Sequence, residues 1–293
     1  MESKIDHNVV AVCGVTGQQG GAVARELLLE GYSVRGLTRD PGQAKAAELA
    51  RMGVQLVKCD LNNTEDVIHA LNGAWGAFGV FNGLEGGALR EQQQALRFAV
   101  IARNSGVQHY VYSSVASADR NTGIPFFENK SRVEKTIRAL NFKSYTILRP
   151  AFFMDNFRGP AFWPDLERGR LSVALKPETK LQMVAVEDIG RYGCMAFTKC
   201  EELNHAVINL AGDEATMPQT AEILGDALGR PVEYSRLPIE TVRAVNPGMA
   251  MMFEWFDRVG LDVNIPELRR VYGLEPLTLR QWAQKVKWPV AAR

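Results

Sequence analysis

The chain has 293 residues, 46% of them hydrophobic, enough for a large buried core in one or two domains. Its 34 Lys and Arg balance 33 Asp and Glu, and a net charge of +1 with no Lys/Arg run gives no electrostatic reason to expect a nucleic-acid partner. No apolar run approaches the length of a membrane span, and the opening MESKIDHNVV lacks the apolar stretch of a secretory signal.

Short, nearly continuous apolar runs at residues 9–15, 33–39, 54–60, 76–82, 109–115 and 144–150 predict six strands covered on both faces. Amphipathic stretches at 20–31, 43–52, 64–71, 89–105 and 127–140 alternate with them. Five successive strand–helix–strand units imply right-handed crossovers and an α/β, doubly wound parallel sheet. Spacing is less regular beyond. Strands at 206–211 and 232–237, with helices at 217–228 and 279–287, predict a smaller C-terminal α/β lobe that packs over the strand ends and completes a cleft. No linker separates the two parts, so residues 1–157 and 158–293 are expected to interleave as one structural unit.

The sharpest local signal follows the first strand and opens a helix. It reads Cys13-Gly14-Val15-Thr16-Gly17-Gln18-Gln19-Gly20-Gly21, a G-x-x-G-x-x-G spacing. Gly14 suits a tight turn, Gly17 lets the backbone approach a pyrophosphate, and Gly20 permits close helix–strand packing. The helix N-terminus then offers free N–H groups and partial positive charge to phosphate. At the end of the second strand, Leu37-Thr38-Arg39-Asp40 holds both a guanidinium for a 2′-phosphate and a carboxylate for a ribose hydroxyl. Arg39 comes first and Asp40-Pro41 reads as the start of a turn. NADP(H) is therefore expected over NAD(H), which the Asp40 spacing keeps open. Asp60, ending the third strand, reads either as an adenine contact or as a cap for its own turn. Phe81-Asn82-Gly83 ends the fourth and is placed to pass under the cofactor.

Several further runs recur in order: Val111-Tyr112-Ser113-Ser114-Val115, Asn129-Lys130 with Val133-Glu134, and Thr146-Ile147-Leu148-Arg149-Pro150-Ala151-Phe152-Phe153-Met154-Asp155-Asn156-Phe157. Val186-Glu187-Asp188-Ile189-Gly190 and Leu210-Ala211-Gly212-Asp213-Glu214 extend the series. With the glycine loop and Leu37-Thr38-Arg39-Asp40, these residues resemble the NmrA-like branch of the atypical short-chain dehydrogenases/reductases across almost the whole chain. The resemblance implies a Rossmann-type domain at 1–157 with NADP held by Gly14, Val15, Thr16, Gly17, Gln18, Gln19, Arg39, Asp60, Asn82, Lys130 and the turn Ala151, Phe152, Phe153, Met154. Gly20, Leu61, Phe81 and Gly83 complete that candidate set. It also implies two competing roles. The one expected first is a redox-responsive sensor or regulator whose protein partner changes with nucleotide. The other is an NADPH-dependent reductase of a small aromatic or conjugated substrate.

Most short-chain dehydrogenases use Y-x-x-x-K, the Lys lowering the Tyr pKa and the Tyr moving the proton. Here Lys130 is present but Phe126 stands at the Tyr position and has no proton to give. Ordinary alcohol/ketone chemistry is therefore not expected. A reductase acting on an alkene, imine or cationic dye survives that loss, with Lys130 as its catalytic candidate. Taken alone, Lys130 also reads as an exposed helical lysine. Ser113, Ser114, Phe126, Asn156 and Phe157 are the candidate substrate pocket, although strand-end capping accounts equally for the serines. Phe152, Phe153, Phe157, Phe162 and Trp163, and the Met- and aromatic-rich run from Met249 to Phe256, fit a pocket lining, a core or a partner surface.

Cys13, Cys59, Cys194 and Cys200 form no C-x-x-C pair, and His7, His69, His109 and His205 are not spaced to complete a zinc site. A cytoplasmic protein without disulfides or structural metal is expected, with Cys13 and Cys59 as buried thiols. Hydrolase, kinase and metalloprotease motifs are absent from the sequence. Asp188 reads as the N-cap of a helix beginning near Ile189.

Overall fold

The computed structural model describes residues 8–83 and 86–289. Residues 1–7, which carry His7 and most of the stretch read for a signal, lie outside them. The first half alternates β1 (Val9–Val12), α1 (Gln18–Leu29), β2 (Ser33–Thr38), α2 (Ala44–Arg51), β3 (Gln55–Lys58), α3 (Thr64–Leu71), β4 (Gly76–Gly79), α4 (Gly87–Asn104), β5 (His109–Ser113), α5 (Pro125–Ala139) and β6 (Ser144–Pro150). Then follow β7 (Phe152–Phe153), a 3-10 turn (Met154–Arg158), α6 (Trp163–Leu166), β8 (Arg170–Val173), β9 (Lys180–Val184), α7 (Val186–Thr198), β10 (Val207–Leu210) and β11 (Asp213–Thr216). The chain ends with α8 (Met217–Leu228), β12 (Glu233–Arg236), α9 (Ile239–Val245), α10 (Pro247–Arg258), α11 (Ile265–Tyr272) and α12 (Leu279–Lys285). No described helix is long and apolar enough to cross a membrane.

Two compact units emerge, one from the described residues within 1–118, 126–149 and 189–208, the other from those within 119–125, 150–188 and 209–293. The first carries a seven-stranded sheet in the order β10-β6-β5-β4-β1-β2-β3. The pairs β3–β2, β2–β1, β1–β4, β4–β5 and β5–β6 are all parallel. This is the doubly wound α/β fold expected from the strand–helix alternation. Most of the predicted strands stop one to three residues early at their carboxyl ends, because ladder pairing ceases where the chain turns into the loops that hold the candidate residues. One placement differs. The run at 206–211 was expected in the C-terminal lobe, but β10 joins the main sheet beside β6, its buried Ile208 and Leu210 completing the edge.

Alternate strand residues explain the layering. Ala11, Cys13, Leu37, Cys59, Ala77, Tyr110, Tyr112 and Ile147 point to one face and form a continuous core with Val67 and Leu71 of α3, Phe98 and Ala102 of α4, and Val133 and Ile137 of α5. Burial pushes the Cys13 and Cys59 thiols up to about 12, so they behave as small apolar side chains.

The second unit has a three-stranded sheet, β11-β9-β7, and a two-stranded one, β12-β8. Strands of only two to five residues explain why β7, β8, β9 and β11 carry no sequence signal of their own. Capping boxes at Thr216/Gln219 and Thr278/Gln281 start α8 and α12. The reading of Asp188 as an N-cap is corrected: it lies inside the first turn of α7, fully buried, and accepts the Leu277 N–H at 2.8 Å. The Val186 N–H is met instead by Asp155 Oδ2 at 2.9 Å, a tertiary cap from 31 residues upstream. Part of each aromatic run lies in this unit's core, while Phe152, Phe153, Phe162 and Trp163 are half-buried. Phe157 is fully buried against Phe162 and Trp282, and on α10 Phe253, Trp255 and Phe256 are buried while Met249 and Met251 face outward.

Candidate functional site

Strand order reverses between β1 and β4, and open α/β sheets bind ligands at the carboxyl ends around such a switch point. The glycine loop sits there. Gly14 has φ +61°, and its carbonyl accepts the Gly17 N–H at 2.9 Å. A Cβ on Gly20 would stand 2.3 Å from the Gly14 carbonyl oxygen and 2.8 Å from that of Cys13, so only glycine allows α1 to start this close to β1. Gly17 is the N-cap of α1, with no side-chain cap and no acidic residue in the first turn. Val15 is buried beneath the loop, Thr16 is half-buried and Gln18 is exposed. That leaves a helix N-terminus whose donors suit an anion, the arrangement a pyrophosphate requires.

At the end of β2, Arg39 is exposed. Asp40 Oδ1 accepts the Gly42 N–H at 2.9 Å, and Gln43 Nε2 donates to the Asp40 carbonyl and the Thr38 hydroxyl, each at 3.2 Å. The Asp40 carboxylate thus builds an Asx turn. At the end of β3, Asp60 Oδ1 accepts both the backbone and side-chain N–H of Asn62, at 2.9 and 2.7 Å, and so caps its own turn. The Leu61 carbonyl accepts Arg97 at 3.0 Å, and its side chain packs on the core. Phe81, ending the β4 segment, is 5% exposed and edge-on to Phe98; it contributes backbone rather than a ring to the sheet's upper edge. Asn82 is exposed beside it, and the Gly83 carbonyl accepts the first N–H of α4, from Gly87, at 2.9 Å.

The β5 end and α5 supply the remaining first-unit candidates. Ser113 is buried and donates to Gln19 Oε1 at 2.6 Å, tying the glycine loop to β5. Ser114 donates to Glu134 Oε1 at 2.5 Å. Glu134 also accepts Arg149 in a bidentate pair, at 2.9 and 2.6 Å, with both side chains almost wholly buried. Phe126 and Lys130 are one turn apart on α5, and Phe126 packs edge-on against Phe127. Lys130 is not an exposed helical lysine. Its side chain is 14% exposed, and its Nζ lies 2.8 Å from Glu91 Oε1 and 3.4 Å from the Phe81 carbonyl. Tyr112 does not replace the missing tyrosine: it is 1% exposed, and burial raises its phenol well above the ordinary value. Glu91 and Glu134 were not singled out from the sequence as site residues. A signal existed for Glu91, an acid in register with the apolar positions of α4.

The other candidates belong to the second unit. The Ala151 N–H donates to Leu210, Phe152 and Phe153 form β7 beside Met183 and Val184, Met154 is fully buried, and Asn156 is half-buried on the 3-10 turn.

A parallel doubly wound sheet with a glycine loop at its switch point defines a Rossmann-type α/β protein. The chain belongs to the NmrA-like family, whose model matches residues 6–284. It is 34% identical over 160 residues to the NmrA-like family domain-containing oxidoreductase FrzB of Cladobotryum sp., a match over 51% of this chain and 48% of the relative, so it spans about half of that protein's length. To the NAD(P)H azoreductase of Xenophilus azovorans it is 29% identical over 249 residues, covering 83% of this chain and 82% of that one. The crystal structure of NmrA, a negative transcriptional regulator, in complex with NADP matches in fold, with a TM-score of 0.78, 21% identity and 95% of each chain covered.

Proposed function

We propose that this protein binds NADP(H) at the carboxyl ends of β1, β2 and β4, and that it is an NADPH-dependent reductase of a small aromatic or conjugated acceptor. The glycine loop carries the nucleotide reading: the uncapped α1 N-terminus, reached through Gly14 and Gly20, is built for a pyrophosphate. Arg39 would pair with the 2′-phosphate, a choice favoured because the Asp40 carboxylate already serves its turn. Relatives crystallised with or named for NADP and NAD(P)H support the same nucleotide. A bound NADPH supplies a hydride. Phe126 and the engaged Ser113 and Ser114 hydroxyls offer no tyrosine-type proton donor, which favours acceptors reduced at carbon or nitrogen rather than simple ketones. Sequence likeness to an azoreductase over most of both chains weighs toward a reductase.

A redox-responsive regulator is the second reading. The missing tyrosine favours it, as does the fold shared with a transcriptional regulator, and its partner would be a protein. One assay separates the two. After NADPH binding is titrated, NADPH oxidation is followed with azo compounds, quinones, enones, imines and cationic dyes. Saturable turnover with any of these is the expected result. Tight binding with no turnover above the uncatalysed rate would remove the reductase reading and leave the regulator.

A further inference from the structure

The buried face of α4 carries Glu91, Ala95, Phe98 and Ala102, so a carboxylate opens an otherwise apolar stripe. Burying a carboxylate is costly unless it is paired. Even a well-made buried ion pair is often no more stable than two apolar side chains of the same size. Stability alone does not account for an acid at this position. Glu91 is 6% exposed, and its Oε1 lies 2.8 Å from Lys130 Nζ. The same ammonium is 3.4 Å from the Phe81 carbonyl and 5.8 Å from the centre of the Tyr112 ring. Groups from α4, from the loop after β4 and from β5 therefore converge on one atom.

We propose that Glu91 is the positioning residue for Lys130, fixing its ammonium at the carboxyl end of the sheet so that the nicotinamide half of NADPH meets a preset donor. This rests on the reading above in which Lys130 contacts the bound nucleotide; Glu91 acts only through Lys130. A lysine captured from solvent loses side-chain freedom on binding, and Glu91 has moved that loss into folding.

The test compares dissociation constants of the full-length protein for NADPH and for adenosine 2′,5′-bisphosphate, which carries only the adenosine end. Glu91→Gln is expected to weaken NADPH about tenfold, the scale of one charge-assisted hydrogen bond, while leaving the bisphosphate unchanged. Glu91→Asp keeps the charge and is expected to restore most of the loss. Because Lys130→Met alone would strand a buried carboxylate, the double variant Glu91→Gln/Lys130→Met reads out the lysine, and it is expected to bind NADPH no better than Glu91→Gln. Unchanged NADPH affinity in Glu91→Gln, or equal loss for both ligands, overturns the proposal. If the double variant still binds NADPH weakly in the first of those cases, the Lys130 reading stands without Glu91. A double variant that binds NADPH like the wild type overturns both.

Discussion

Arg39 and Asp40 are neighbours with opposite consequences for a ribose, one inviting a 2′-phosphate and the other a 2′-hydroxyl. Backbone geometry separates them. Asp40 turns one oxygen onto the Gly42 N–H, and Gln43 braces the same turn, while Arg39 is exposed at the strand end. Arg39→Ala is therefore expected to weaken NADPH by roughly 1.5–3 kcal/mol, the range for a hydrogen bond to a charged group, and to leave NADH nearly unchanged. Parallel titrations with the two nucleotides check this, and equal losses would show that Arg39 does not read the 2′-phosphate. The same scale explains Phe126. It occupies the turn of α5 before Lys130 but brings no ionisable group, so this position offers the site no phenol.

At the scale of elements, α5 holds the site together through two buried charges one turn apart. Lys130 meets α4 through Glu91, and Glu134 meets the loop after β5 through Ser114 and β6 through Arg149. With Arg149 4% exposed, removing its carboxylate partner leaves a guanidinium in the interior without that counter-charge. Glu134→Ala is expected to cost about 3–5 kcal/mol in urea unfolding, whereas Glu134→Leu/Arg149→Met should recover much of that, since an apolar pair carries no desolvation penalty. A loss below about 1 kcal/mol in the single variant would show that the pair does not hold these elements. The Ser113–Gln19 bond likewise ties the start of α1 to the end of β5, so the loop over the proposed pyrophosphate site is braced from the next strand but one.

At the scale of the whole molecule, His109 sets a pH limit on stability. It starts β5 almost wholly buried, stacked on Trp75, edge-on to Phe197, with Nδ1 2.8 Å from the Ser144 hydroxyl. Burial lowers its pKa from 6.5 to about 4. Below pH 6.5 the unfolded chain binds a proton that the folded one refuses, so stability is full above that value and falls as pH drops toward 4. The span corresponds to a loss on the order of 3 kcal/mol. Thermal melts of wild type and His109→Gln from pH 4 to 7 are expected to show a shallower acid decline in the variant. Parallel profiles would mean that other groups carry the decline.

Periodicity and glycine spacing were sufficient to read the alternating strands and helices, the doubly wound sheet, the loop at Gly14, Gly17 and Gly20, and the turn beginning at Asp40. These rest on local rules: side-chain period, backbone freedom and turn chemistry act within a few residues. Only the tertiary structure moved β10 to the edge of the main sheet, gave α7 its N-terminal acceptor from Asp155 rather than Asp188, and made Phe157 a core residue. It alone turned Lys130 from a residue with two readings into one half of a buried pair with Glu91, 39 positions away in the chain. Which distant group answers a buried charge is settled by packing between elements, and no local pattern in the sequence carries that information.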